Sequence, residues 1–263
     1  MTLISALFAA LSYGLATLLL WQTPAAARER WPAAVALLLH TGVLVQLLWL
    51  PAGLSIGWTG ALALFAWQSA LLLWMFSLRQ PLRPLGLGLY PLAALLVLVA
   101  AGWPSRAVPV EGDGMVRAHI LLSLLSAGVL TLAAVQAGLL AAQEHWLHRH
   151  QAPALMRRLP PILTMERLLF QLVGLGFALL SAALLTGLAF IEDWLAQHLA
   201  HKTVLSVTAW MIFGGLLWGR WQFGLRGRAA TRWTLAGYGV LILAYFGSKL
   251  VLEIVLDARW SLH

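Results

Sequence analysis

Two histidines stand where side chains could hold a metal. His119 opens one long apolar run and His201 opens another. Neutral imidazoles facing each other across two helix ends make a suitable axial pair for haem iron, and imidazole also suits zinc or copper. The plainer reading is that each is an interfacial histidine satisfied by water or a lipid headgroup. Arg117 and Lys202 sit beside the two histidines, and Lys249 lies in the last apolar run. Any of the three would pair with an anion such as a haem propionate through charge-assisted hydrogen bonds. Trp194 and Trp210 flank His201 and offer flat faces against a macrocycle. His198, three residues before His201, shares its face if the helix starts early.

Other groups compete for attention. His40 lies inside an apolar run, in Leu37-Leu38-Leu39-His40. An ionisable group at that depth is costly to bury and is a functional candidate by default. The bland alternative is a neutral histidine hydrogen-bonded across helices. Lys249 and Glu253 are spaced i,i+4 and either close on each other or leave the lysine for an anionic ligand. His145, His148 and His150 resemble a metal cluster but lie in a basic stretch whose one acid is Glu144. Gln46, Gln68, Gln136 and Gln171 read as bridges between helices. There is no Ser-His-Asp set, no paired carboxylates and no phosphate loop.

The elements that carry these residues follow from composition. The 263-residue chain is 61% hydrophobic and 10% charged, with a net charge of +8. A soluble protein carries about 25% charged residues, so this is an integral membrane protein. It contains no cysteine, which excludes disulfides, thiolate metal sites and Fe–S clusters. Eight apolar runs meet the requirement of about 20 residues for a helix across a bilayer: roughly 1–21, 33–50, 58–78, 85–103, 118–141, 168–191, 203–218 and 233–256. The first lacks a charged leader and reads as a span, not a cleaved signal. None alternates at period two, which argues against a β-barrel. Helices are then the way to satisfy the backbone in lipid. The longest loop, about twenty residues, is too short to bury a soluble core of its own.

The loops after runs one, three, five and seven hold most of the arginine, including Arg28, Arg79, Arg158 and Arg226. Those after runs two, four and six hold Glu111, Asp113, Glu192 and Asp193. Basic loops stay on the cytoplasmic side. The expected fold is therefore an all-α integral membrane protein of about eight transmembrane helices, both termini outside, with His119 and His201 at the outer surface. The basic charge is topogenic, and nucleic acid is not expected as a partner.

Several stretches together resemble a known family. They are residues 119–128 (HILLSLLSAG) with 133–136 (AAVQ), 164–171 (TMERLLFQ), 185–193 (LTGLAFIED), 201–206 (HKTVLS) with Trp210, and 245–249 (YFGSK). The chain resembles the cytochrome c assembly family of membrane haem-handling proteins, of the CcsA and CcmC type. It is closest to the smaller HemX-like and YpjD-like branch. The resemblance covers residues 119–256 strongly and 33–118 more weakly, within a single transmembrane domain over 1–263. It implies an outer histidine at the head of the fifth helix, which His119 matches. The family's second outer histidine follows the last helix, near Leu256 here, and His201 is the replacement proposed for it. The tryptophan-rich outer loop of larger members is absent, with Trp194 alone remaining. His40 corresponds weakly to a histidine that larger members place within the membrane.

The expectation is a haem-binding protein of a bacterial inner membrane, multi-pass, holding haem b residently or transiently. Its output would be cytochrome c maturation or control of haem supply, not catalysis by this chain alone. Its partners would be the bilayer, haem, and other cytochrome c maturation or haem-synthesis proteins. The alternatives are a transporter of an ion or small molecule that uses His40 and Lys249–Glu253, and an accessory scaffold without a ligand.

Overall fold

The computed structural model describes residues 2–22, 27–50, 53–103, 108–109, 114–149, 159–190 and 197–247. Eight α-helices follow one another: α1 (Thr2–Gln22), α2 (Arg30–Leu48), α3 (Trp58–Phe76), α4 (Gly86–Gly102), α5 (Gly114–His148), α6 (Ile162–Phe190), α7 (Gln197–Phe223) and α8 (Arg228–Ile242). Seven of these stretches, α1 to α7, are long and apolar enough to cross a membrane. α8 continues into a π-helical turn, Leu243–Gly247. The protein is a multi-pass membrane protein.

The helices fall into two groups. α1 packs on α2 and α4, and α3 on α4; α5 packs on α6 and α8, and α7 on α8. The seam between the groups is α3 against α5. There the Gln68 amide donates to the Leu124 carbonyl at 2.5 Å. Gly128 makes room for it, because a Cβ at that position would collide with the Gln68 amide nitrogen. Gln136 reaches the Met165 carbonyl at 2.8 Å, and Ser126 the Gly176 carbonyl at 3.0 Å, tying α5 to α6. Such bonds matter in lipid, where apolar surface gives helices little reason to associate. Gln46, Gln68 and Gln136 thus link segments as expected. Gln171 instead lies on an exposed face.

The loops separate onto two faces. On one, Arg83 grips Glu29 along one guanidinium edge, its Nε and Nη2 donating to the two carboxylate oxygens at 2.6 and 2.7 Å. On the same face Trp74 donates to the Arg30 carbonyl at 3.1 Å, joining α3 to the start of α2. In the second group Arg220 pairs with Glu166 at 3.3 Å, and the Gly227 amide donates to the same carboxylate oxygen at 3.1 Å. Gly227 has φ +62°, a conformation that favours glycine, and turns the chain from α7 into α8. On the opposite face Thr2 bonds Gln46 at 3.0 Å, and the Tyr245 hydroxyl reaches the Ser123 carbonyl at 3.1 Å. The start of α1 and the end of the described chain therefore share one face. Arg28, Arg79 and Arg226 lie on the face opposite to this one, whereas Glu111, Asp113, Arg158, Glu192 and Asp193 lie outside the described residues.

Several boundaries differ from those expected. The end of the second expected span, β1 (Trp49–Leu50), joins parts of two links expected as loops, β2 (Gly53–Ile56) and β3 (Val108–Pro109), in a small antiparallel sheet. α5 runs on to His148, so His145 and His148 are helical; no proline interrupts the chain before Pro153. α7 begins at Gln197 and ends at Phe223, so His201 and Arg220 lie on the helix itself. α8 begins at Arg228, five residues before the expected start at 233. Charged residues at these ends keep the helix going into the interface, where hydropathy alone places its limit too early.

Candidate functional site

His119 sits in the second turn of α5, on the face that carries the small sheet. Its Nδ1 lies 2.8 Å from the Ala183 carbonyl and 3.3 Å from the Thr186 hydroxyl, both on α6. A carbonyl only accepts, so Nδ1 carries the proton of that bond. In a neutral ring protonated there, the lone pair is on Nε2, the tautomer of a metal-ligating imidazole held by a backbone acceptor. Gly187 makes the seat: a Cβ there would stand 3.0 Å from His119 Cε1. Thr186 is itself anchored to the Ala182 and Ala183 carbonyls at 3.0 and 2.9 Å. The ring is thus oriented by a backbone carbonyl, a hydroxyl and the missing side chain of a glycine.

His201 lies in the first turns of α7, next to Lys202, which is half-buried. Trp210, further along α7, donates its indole N–H to Ser181 Oγ at 2.8 Å and stacks on Phe177 with centroids 5.4 Å apart. That contact fixes α7 against α6. The nine residues of helix from Trp210 to His201 span about 13 Å, toward the face on which His119 lies; Ala183 and Thr186, which hold His119, are about 3–8 Å along α6 from Ser181. Trp210 is still 36% exposed. Arg117 falls on α5 two residues before His119, by its backbone. Trp194, Lys249 and Glu253 lie outside the described residues.

His40 belongs to a different place. It is fully buried at the middle of α2. Its Nδ1 shares a hydrogen bond with the Tyr13 hydroxyl at 3.3 Å. Tyr13 in turn stacks on Tyr90 of α4, centroids 5.9 Å apart. His40 Nε2 is buried with no hydrogen-bond partner among the described residues. The structure does not bring His40 to His119: one is a mid-depth group of the first four helices, the other a rim group of the last four. Among the described residues no cluster of three His, Cys, Asp or Glu could hold a metal ion, and that includes His145 and His148.

Sequence reasoning passed over Tyr13; Thr186 and Gly187 lie in the stretch 185–193 that carries the resemblance, but were given no role of their own. It also passed over Glu29, which did carry a signal. It is the one acid in the first hundred residues, set between two arginines in a basic loop.

A model of the cytochrome C assembly protein family matches residues 4–256. The chain belongs to that family. The inner membrane protein YpjD of Escherichia coli strain K12 is 33% identical over 167 residues. The same protein of Escherichia coli O157:H7 matches equally. An uncharacterized 28.8 kDa protein in the nifR3-like 5' region of Azospirillum brasilense is 39% identical over 140 residues. The matched region spans 63% of this chain and 63% of the YpjD proteins, and 52% of each chain in the Azospirillum case. No solved structure matches the chain.

Proposed function

Proceeding from that family membership, we propose that this is a haem-handling protein of a bacterial inner membrane, acting in cytochrome c maturation or in the control of haem supply. The observation that carries the reading is the seat of His119. Its Nδ1 is engaged by the Ala183 carbonyl, which favours Nε2 as the ligating atom. Bound haem b would supply the iron that an imidazole can ligate. In this reading His119 and His201 would hold the iron. Lys202, Arg117 or Lys249 meets the propionates, and Trp194 and Trp210 lie against the ring. The relatives named as inner membrane proteins support the location. The basic face then lies in the cytoplasm and His119 outside. Partners on this reading are other maturation or haem-synthesis proteins.

The test is the visible spectrum of the full chain purified in mild detergent, oxidised and reduced, beside His119→Ala and His119→Ala/His201→Ala. The expected result is a sharp Soret band with resolved α and β bands on reduction, weakened in the single variant and lost in the double. Folded variants that bind haem like the parent would sink the assignment. One observation favours a second reading, transport of an ion or small molecule through α1–α4. It is the buried, unpartnered Nε2 of His40.

A further inference from the structure

A crevice of about 350 Å³ opens where the two helix groups meet, with α3 and α4 on one side and α5 and α8 on the other. Its walls are apolar, among them Leu62, Leu92, Leu96 and Ile242. Three hydroxyls also line it, and each is already engaged within the protein. Ser69 Oγ donates to the Phe65 carbonyl at 2.9 Å and Thr131 Oγ1 to the Ala127 carbonyl at 2.8 Å. The Tyr238 hydroxyl bonds that of Thr131 at 3.0 Å. No charged side chain is among the described residues of the lining. A polar or ionised ligand would lose its water there without gaining a partner, which argues against a porphyrin with its two carboxylates.

Height narrows the choice further. From Ser69 to Trp58 α3 rises about 16 Å, roughly half of the ~30 Å hydrocarbon core of a bilayer. The crevice therefore has the depth of one leaflet. Trp58 stands at its rim, at the headgroup level favoured by tryptophan, on the face that carries His119. Leu92 is exposed, so the crevice communicates sideways with lipid.

We propose that this crevice seats one acyl chain of a phospholipid from the leaflet on the His119 face. The chain fills the gap between the two helix groups, and its headgroup lies beside Trp58. The proposal is independent of the haem reading.

The test reconstitutes the full chain in phosphatidylethanolamine–phosphatidylglycerol vesicles. These contain a small fraction of phosphatidylcholine with a diazirine near the end of one acyl chain. After irradiation, labelled residues are mapped by mass spectrometry. Labelling of Leu62, Leu92 and Ile242 should exceed severalfold that of Leu7 and Leu11, which are exposed on the outer face of α1. Leu62→Trp and Leu96→Trp, both at half-buried wall positions, should remove the excess; Leu38→Trp, on an exposed face, should leave it unchanged. Equal labelling of crevice and α1 in the parent protein overturns the proposal, whether or not the filled variants fold. Displacement of the label by added haem also overturns it and assigns the crevice to the macrocycle.

Discussion

In α1–α4 the histidine lies at mid-depth, fully buried, and the charges are clamped; in α5–α8 the histidine lies at the rim and the charges are looser. His40 is packed between Tyr13 and its own helix, with one nitrogen left unpartnered. His119 is oriented by a carbonyl on the neighbouring helix. At the basic face the first group closes with a bidentate pair, Glu29 at 3% and Arg83 at 19% side-chain exposure. The second closes with one guanidinium nitrogen of Arg220, 39% exposed, and the Gly227 amide on one oxygen of Glu166. The difference separates two uses of polar residues in a membrane. A clamped, buried pair holds helices in register. An oriented group at a rim has its ring fixed by the neighbouring helix without closing a charge pair.

The sharpest way to break this comparison is to cut the two clasps. Arg83→Ala leaves the Glu29 carboxylate buried and unpaired and should cost about 3–5 kcal/mol. Arg220→Ala removes a partly solvated partner and leaves the Glu166 carboxylate, itself buried, with the Gly227 amide as its remaining donor, so it should cost less, about 1–3 kcal/mol. Thermal unfolding of both variants in the same detergent measures the gap. Similar losses for the two would erase the distinction between the groups.

The next test tightens the rim site without touching a ligand. Gly187→Ala places a methyl against the His119 ring and should lower haem affinity about tenfold, as changes in groups that orient a metal ligand do. Thermal stability should stay near the parent value. Haem titration read at the Soret band decides it. Unchanged affinity with a repacked ring would mean that the orientation of His119 is unimportant.

The smallest effect belongs to the mid-depth group. Tyr13→Phe removes one interhelical hydrogen bond and should cost roughly 0.6 kcal/mol. His40→Leu should leave the haem spectrum intact, because His40 and His119 occupy separate places. Loss of the spectrum in His40→Leu would join the two sites and overturn the separation drawn here. Loss of cellular function with the spectrum preserved would favour transport through the first group.

Much of the fold was legible in the chain. Hydrophobicity and length identify the spans because the bilayer acts on every residue along the helix in the same way. Loop charge predicts which loops lie together because the field across the membrane acts on charge irrespective of packing. His119 and His201 could be placed at helix starts on one face for the same reason. Helix ends were placed less well. Polar residues such as His148 and Arg220 extend a helix into the interface, where hydropathy falls before hydrogen bonding does.

What the sequence by itself determined is the membrane class, the number of helices and the two sets of loops. All of these are read one segment at a time. The tertiary structure alone decided that Glu29 meets Arg83 across 54 positions, that His40 meets Tyr13, that Ala183 orients His119, and that a crevice remains between α3, α4 and α8. The physical reason is that these helices are apolar on nearly every side. In lipid no hydrophobic stripe marks the buried face. Partner choice then falls to close packing and a few polar contacts, which no single segment encodes.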